Sequence, residues 1–139
     1  MSSDNTVDYE KYKINGELPN WAQLFQHSER FLKRAMKLAD THRLQDFADG
    51  VENGTMQLWP GQRSAIVTEV HDYPLKKVMI VSIAGGDIKE LEELAPYIVQ
   101  YAQDIGCNRI ILGGRRGWSR TFLEKFDMHP THYWMAKEL

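Results

Sequence analysis

The sequence predicts an α/β domain with a mixed sheet, in which an antiparallel meander is followed by a βαβ crossover and helices cover both faces. Three observations predict it. Two amphipathic helical segments come first, three strand-like segments with short connections follow, and a long helix then separates two short apolar runs. Short connections favour antiparallel pairing, whereas a strand–helix–strand crossover makes its two strands parallel.

Length and composition are consistent with one such domain. The chain has 139 residues, of which 42% are hydrophobic and 26% charged, and ordinary domains run from about 100 to 200 residues. We assign residues 1–18 to a polar N-terminal tail, expected to be flexible, and residues 19–139 to a single domain. The single cysteine, Cys107, excludes an internal disulfide and a multi-cysteine zinc site.

The charge balance narrows the possible partners. A formal net charge of −2 argues against a protein whose main role is to coat nucleic acid. No apolar run approaches the roughly 20 residues that a membrane helix needs. We therefore expect an intracellular protein without a membrane contact.

Two helices are predicted before the strands. Apolar side chains recur at three- and four-residue steps from Trp21 to Ala39, which is typical of one buried helical stripe. Asn20 is expected to cap this helix in a capping box with Gln23. A second, shorter helix is expected from about Thr41 and ends at Gly54.

Three strands are predicted next. They span Thr55–Trp59, Ser64–His71 and Lys77–Ala84, with Pro60-Gly61 as a turn after the first. The third is apolar on both faces from its second residue, which indicates a central strand covered on both sides. Gly85-Gly86 is expected to break it.

The crossover and the C-terminal elements complete the order. Asp87 is expected to cap a long helix in a D-x-x-E box with Glu90, and Gly106 ends it. Arg109–Leu112 is predicted to be a short buried strand parallel to the third one. A short helix and a final strand over Thr131–Leu139 are expected after it.

This element order resembles the GNAT superfamily of acyl-CoA N-acyltransferases over roughly residues 20–139. The stretch RTFLEKFDMHPTHYWMAKEL resembles the helix–turn–strand ending of that family. The segments THRLQDFADGVENGTMQLWP, VTEVHDYP and IAGGDIKELEEL also resemble small GNAT-like proteins of bacteriophages.

The resemblance implies an acyl-CoA site between the two parallel strands, which should separate after Ser82. The pantetheine would lie along Ile83, Ala84, Gly85 and Gly86, and the diphosphate at the start of the following helix. The family loop usually reads Q/R-x-x-G-x-G/A, whereas this chain has AGGDIKE. Its two carboxylates favour the helix but disfavour a polyanion. A tight turn with a helix cap is the alternative interpretation.

Candidate catalytic residues follow from the same resemblance. Glu69 and His71 share one face of a strand by its two-residue period, and either is a candidate general base. The family's proton-donating tyrosine is replaced by Leu123, so Tyr133 on the last strand is the candidate donor. In the alternative interpretation, Glu69, His71 and Tyr133 are ordinary sheet residues without a catalytic role.

Three arginines, Arg115, Arg116 and Arg120, surround Trp118 in GRRGWSR. Arginine suits phosphates, carboxylates and stacked bases. We interpret them as anchors for CoA phosphates, with nucleic acid, an acidic partner surface or a solvated loop as alternatives. No histidine pair has the spacing of a helical metal site, so no metal is expected.

Two functions are compatible with these observations. The first is a divergent, bacteriophage-encoded GNAT-fold protein with weak or no catalysis, which acts as a virion or assembly component and contacts a protein partner through residues 1–18. The second is an active acetyl-CoA-dependent N-acyltransferase that acts on an amine. Nucleic acid is not expected as a partner in either case. The expected location is the cytoplasm of a bacterial host or the virion.

Overall fold

A computed structural model describes residues 6–37, 41–113, 125–131 and 135–139. One turn of 3-10 helix at Glu10–Tyr12 precedes the regular elements. The helices and strands are α1 (Asn20–Ala35), α2 (Leu44–Glu52), β1 (Met56–Pro60), β2 (Ser64–Asp72), β3 (Lys77–Gly86), α3 (Ile88–Asp104) and β4 (Arg109–Leu112). Within this part of the chain no helix is long and apolar enough to cross a membrane.

The sheet has the predicted topology. Its four described strands lie in the order β1-β2-β3-β4. The pairs β1–β2 and β2–β3 are antiparallel, and β3–β4 is parallel. The meander followed by a βαβ crossover is therefore confirmed, with α3 as the crossover helix.

Helices cover both faces of the sheet, because successive side chains of a strand point to opposite faces. Ala65 and Val67 of β2 join the core formed with α1 and α2. Ile66, which lies between them, joins a second core with Leu91 and Ile98 of α3. The fully buried side chains of the first core include Phe25, Leu32, Leu44 and Phe47.

Residues 6–18 contribute to the first core, although their composition indicated a flexible tail. Val7 and Tyr12 are buried. The Tyr12 hydroxyl donates to Asp49 Oδ1 at 2.6 Å and accepts from Gln45 Nε2 at 2.6 Å. Burial and the hydrogen bond to Asp49 raise the pKa of Tyr12. This segment is therefore fastened to α2 by buried aromatic surface and by hydrogen bonds from a tyrosine.

The starts of α1 and α2 differ from the sequence prediction. Pro19 occupies the N-cap position of α1, so Asn20 lies inside the helix and its capping box is wrong. Gln23 instead donates from Nε2 to the Leu18 carbonyl at 2.9 Å. Helix α2 begins at Leu44 rather than Thr41, because Asp46 Oδ2 accepts the backbone N–H of Arg43 at 2.8 Å and caps the helix there.

The ends of two other elements were also predicted wrongly. Strand β3 does not break at Gly85-Gly86, since both glycines stay in register with β2, opposite Ala65 and Ser64. Helix α1 ends at Ala35, before the predicted end at Ala39. The final strand is not observed where the structure describes it, since Thr131 and residues 135–139 lie in no strand.

Candidate functional site

The pairing of the two parallel strands ends at Val81, directly before Ser82. Their pairing ends with Val81 opposite Leu112, the last residue of β4, whereas β3 continues to Gly86. Residues 83–86 therefore pair with β2, and no described strand pairs with the other edge of β3 there, which is called the open edge of β3 below. An open strand edge offers unpaired N–H and C=O groups to an extended ligand.

A β-bulge lies at the same point. Val67 of β2 is opposite Ile83, and the next residue, Thr68, is opposite Val81. Ser82 is thus the extra residue of β3, and bulges bend a strand and end regular pairing. The Ser82 hydroxyl oxygen is buried and has no hydrogen-bond partner among the described residues, which is uncommon for a buried polar atom.

The four residues expected along the pantetheine have different surroundings. Ile83 is buried in the core with α1, and Ala84 is packed against the core on the α3 face. A Cβ on Gly85 would lie 2.3 Å from the Phe31 carbonyl oxygen, and one on Gly86 would lie 2.3 Å from the Arg63 carbonyl oxygen. Both glycines are therefore required by close backbone packing, whether or not a ligand binds.

The N-terminus of α3 is capped by its own carboxylate. Asp87 Oδ1 accepts the backbone N–H of Lys89 at 2.9 Å, as the sequence predicted for the cap. Its Oδ2 accepts from Arg63 Nε at 3.2 Å. The Arg63 guanidinium and the Lys89 N–H hold the pKa of Asp87 below its ordinary value, so the cap is negatively charged at neutral pH.

Glu90 adds a second carboxylate one turn into α3. Its side chain is buried and accepts the backbone N–H of Arg63 at 2.9 Å and the hydroxyl of Ser64. Burial alone would raise its pKa, but the Ser64 and Arg63 hydrogen bonds and the Arg63 charge outweigh burial and lower it. The predicted D-x-x-E box is therefore wrong, because Glu90 binds the β1–β2 turn rather than the N–H of Asp87.

Glu69 and His71 lie on one face of β2 and touch, as their spacing predicted. His71 Nε2 is 3.3 Å from Glu69 Oε1, and both side chains are partly exposed. Glu69 is opposite Ile80, one residue before the last β3–β4 pair, whereas His71 is two residues further from the open edge. Of the two, Glu69 lies closer to the point where the β3–β4 pairing ends.

The remaining candidates cannot be placed. Tyr133, Arg115, Arg116 and Arg120 lie outside the described residues. No group of histidine, cysteine, aspartate and glutamate side chains in the described ranges is arranged to hold a metal ion.

Three residues of the site were missed at the sequence level. Arg63 and Ser64 bind the carboxylates of α3 across 24 to 27 positions of sequence, and no local pattern predicts such contacts. The only sequence signal for these contacts is that a cationic residue, Arg63, and a hydroxyl residue, Ser64, stand next to each other at the start of β2. The sequence does not predict the bulge at Ser82, because a bulge depends on how two strands pair and not on the period of one strand.

Comparisons with known proteins agree on the architecture. No family model matches the chain and no curated protein matches it. A crystal structure of an acetyltransferase from Trypanosoma brucei is similar, with a TM-score of 0.60 and 14% identity over 83% of this chain and 94% of that one. A probable acetyltransferase has a TM-score of 0.62 at 11% identity over 87% and 93%.

A third structure contains the expected cofactor. The predicted acetyltransferase from Clostridium acetobutylicum, solved with acetyl-CoA, has a TM-score of 0.59 at 10% identity and covers 95% of this chain and 92% of that one. The chain therefore has the GNAT acetyltransferase fold. Identities this low establish the fold, and they leave the activity to be argued from the site.

The described residues fit one part of an acyl-CoA and not the other. The open edge of β3 and the unsatisfied hydroxyl of Ser82 suit an extended chain with amide and carbonyl groups. The start of α3 does not suit a diphosphate, because Asp87 already accepts the Lys89 N–H and Glu90 adds a second negative charge.

Proposed function

We propose that this is a GNAT-fold protein with weak or no acyl transfer, in which carboxylates occupy the position that the cofactor diphosphate takes in the family. One observation carries the proposal: the first turn of α3 is closed by Asp87 and Glu90, which are both bound to the β1–β2 turn through Arg63. In this interpretation the fold is kept while tight binding of acyl-CoA is lost.

The charges and the hydrogen bonds of Asp87 and Glu90 both disfavour an anionic ligand at the start of α3. A helix N-terminus attracts anions because its first N–H groups are unpaired and carry partial positive charge. Here an internal anion uses that attraction, and the lowered pKa values of Asp87 and Glu90 keep both groups charged at neutral pH. Arg63, the cation that contacts this turn of α3, is already paired with both carboxylates.

Calorimetric titration with two matched ligands tests the proposal. Acetyl-CoA and acetyl-pantetheine share the thioester and the pantetheine arm, and only acetyl-CoA carries the diphosphate nucleotide. We expect their Kd values to agree within about threefold, since the diphosphate gains nothing at α3. A Kd for acetyl-CoA at least a hundredfold lower than that for acetyl-pantetheine contradicts the proposal.

A charge substitution sharpens this test. Asp87→Asn keeps a capping side chain and removes one negative charge, so affinity for acetyl-CoA should rise about three- to tenfold while affinity for acetyl-pantetheine stays unchanged. Glu93→Gln is the control, because it makes the same charge change at an exposed position of α3. Equal gains in both variants would show a general charge effect and refute a role for Asp87.

An active acetyl-CoA-dependent N-acyltransferase is the second candidate. It is favoured by the open edge of β3 and by the contact of Glu69 with His71. Glu69 would accept the proton of the amine, directly or through water. Tyr133 as proton donor, and Arg115, Arg116 and Arg120 as phosphate anchors, remain predictions of this alternative.

Thiol release from acetyl-CoA, followed with a panel of polyamines and amino sugars, tests that candidate. Turnover that falls at least a hundredfold in Glu69→Gln supports the enzyme. Turnover that is absent from the wild type at millimolar cofactor removes it. Turnover that persists in Glu69→Gln assigns the base elsewhere.

The wider role as a bacteriophage virion or assembly component is also a proposal. It is supported by the resemblance of the sequence to phage proteins. It is also supported by the apolar side chain of Ile14 in the N-terminal segment, since Ile14 is 66% exposed to solvent. Mass spectrometry of gradient-purified virions is the test. A virion component persists in particles at constant stoichiometry, and its loss during purification contradicts this role.

A further inference from the structure

Helix α1 and the turn that follows it carry a row of cations. The row consists of Arg30, Lys33, Arg34 and Lys37, which are all exposed to solvent. Their spacing of three and four residues places them on one side of the helix, and it is called the basic stripe below. With a rise of about 1.5 Å per residue, the stripe extends over about 10 Å.

No exposed carboxylate lies among the described residues of this helix face. Glu29 is the only acidic residue of α1, and it is only partly exposed. Its Oε2 accepts the Tyr9 hydroxyl, and its Oε1 lies 3.6 Å from Lys33 Nζ. Arg34 and Lys37 have no ion-pair partner in the part of the chain that the structure describes. The stripe therefore presents positive charge that the protein itself leaves largely unpaired.

This arrangement is unfavourable for the isolated helix. Arg30 with Arg34, and Lys33 with Lys37, are like charges four residues apart, and such pairs destabilise a helix. The helix dipole favours cations only in the last turn, where Lys33 and Arg34 lie. Arg30 precedes that turn, and Lys37 follows the end of α1. An anionic partner would relieve the repulsion along the whole stripe.

The rest of the chain is acidic, which limits the kind of anion that fits. The chain has 17 lysine and arginine residues and 19 aspartate and glutamate residues. Without the four cations of the stripe, 13 basic residues remain against 19 acidic ones, a formal charge of −6. A long polyanion would extend beyond the stripe and meet this negative charge. A short acidic segment would not, so the charge distribution favours it over a nucleic acid.

We propose that the basic stripe binds a short acidic segment of a partner protein, whose aspartate and glutamate carboxylates pair with Arg30, Arg34 and Lys37. Arginine suits this role because its planar guanidinium can donate two parallel hydrogen bonds to one carboxylate. Arg30 is already restrained, since its guanidinium carbon lies 4.9 Å from the centre of the Phe31 ring, and this lowers the entropy lost on binding. The inference goes beyond the proposed function and uses no residue of β3 or α3.

Fluorescence anisotropy with two labelled probes tests the inference on the full chain at low salt, where charges are weakly screened. One probe is an octaglutamate peptide, and the other is a nine-base oligothymidylate with the same number of charges. We expect the Kd for octaglutamate to be at least about threefold lower than that for the oligothymidylate. On binding of octaglutamate, the backbone amide resonances of residues 26–37 should shift most.

A pair of double variants separates the stripe from the overall charge. Arg30→Gln combined with Arg34→Gln should raise the Kd for octaglutamate about tenfold, since each exposed charge pair contributes up to about fivefold. Lys76→Gln combined with Lys89→Gln is the matched control, because it removes the same charge at exposed positions outside α1. The control should change the Kd by less than about twofold.

Several outcomes overturn the inference. Tighter binding of the oligothymidylate with amide shifts at the stripe would assign this surface to nucleic acid. An equal loss in the two double variants would show a general charge effect. Amide shifts outside α1, or no binding of octaglutamate at millimolar concentration, would also contradict it. If the arginine variant fails to fold, the two probes and the shifts of the wild type still decide. The acetyl-CoA titrations are measured separately, so the proposed function can fail without affecting this result.

Discussion

Replacing Glu90 by alanine is expected to destabilise the protein by about 3 kcal/mol, because it removes the acceptor of two hydrogen bonds between α3 and the β1–β2 turn. The Glu90 side chain is buried, and Ser64, one of its donors, is completely inaccessible to solvent. The other donor is the backbone N–H of Arg63, at 2.9 Å. The buried Ser64 hydroxyl is therefore left without an acceptor when the side chain is truncated.

The magnitude follows from these contacts. A hydrogen bond to a buried charged group contributes about 1.5–3 kcal/mol, and we assign about 2 to the Ser64 contact. The Arg63 N–H is only partly buried, so its share is about 1 kcal/mol. The Arg63 guanidinium lies 3.7 Å from Glu90 and is largely exposed, so solvent screening makes its contribution negligible.

Urea unfolding followed by circular dichroism measures the loss. With an m value near 2 kcal/mol/M, 3 kcal/mol lowers the midpoint by about 1.5 M. Glu93→Ala is the control on the exposed side of α3 and should change the unfolding free energy by less than about 0.5 kcal/mol. A loss below 1 kcal/mol for Glu90→Ala would refute the assignment of this contact as the link between the turn and α3.

Two further perturbations test other contacts, and a third tests the charge of Glu90. Gly85→Ala should cost about 2 kcal/mol or more in unfolding free energy, since its Cβ would lie 2.3 Å from the Phe31 carbonyl oxygen. Tyr12→Phe should cost about 1.5 kcal/mol, because the hydroxyl that binds Asp49 is lost. Glu90→Gln should be destabilising at pH 7 and progressively less so under acid. The folded pKa of Glu90 is below its ordinary 4.5, so its stabilisation is present above that pH and is lost as pH falls through the folded pKa.

The glycine and tyrosine substitutions each have a matched control measured by the same urea titration. Gly113→Ala adds a Cβ that meets no described atom within 4 Å, and Tyr73→Phe removes the hydroxyl of a tyrosine that is 51% exposed. Both should leave the midpoint within error. If Gly85→Ala and Tyr12→Phe lower the unfolding free energy no more than their controls do, the contacts assigned to Gly85 and Tyr12 do not stabilise the fold. A pH-independent difference for Glu90→Gln would show that the carboxylate charge is not the stabilising feature.

Local pattern predicted most of the fold. The three-and-four spacing of α1 and α3, the apolar third strand and the short connections specify the elements and their topology, because periodicity directly reports which face is buried. Periodicity did not predict that the N-terminal segment packs on the core. Tyr12 reaches Asp49 across 37 positions, and its burial depends on a surface that exists only after α1 and α2 have packed.

The candidate site was predictable only where one element contains it. The contact of Glu69 with His71 follows from the two-residue period of a strand, and the Asp87 cap follows from its place before an amphipathic helix. The partner of Glu90 does not follow. Its carboxylate was expected to reach back along α3, and it instead binds a turn 27 positions earlier in the chain.

The close approach of that turn explains why charge removal alone would create only part of a diphosphate site. A Cβ on Gly61 would lie 1.9 Å from Glu90 Oε1, so the turn and α3 meet without room for another group. Asparagine at position 87 would remove a charge yet still accept the Lys89 N–H as a cap. The helix donors would stay in use, and for that reason the expected gain for Asp87→Asn is limited to about tenfold. A site able to bind the whole cofactor would need the turn itself to move away from α3.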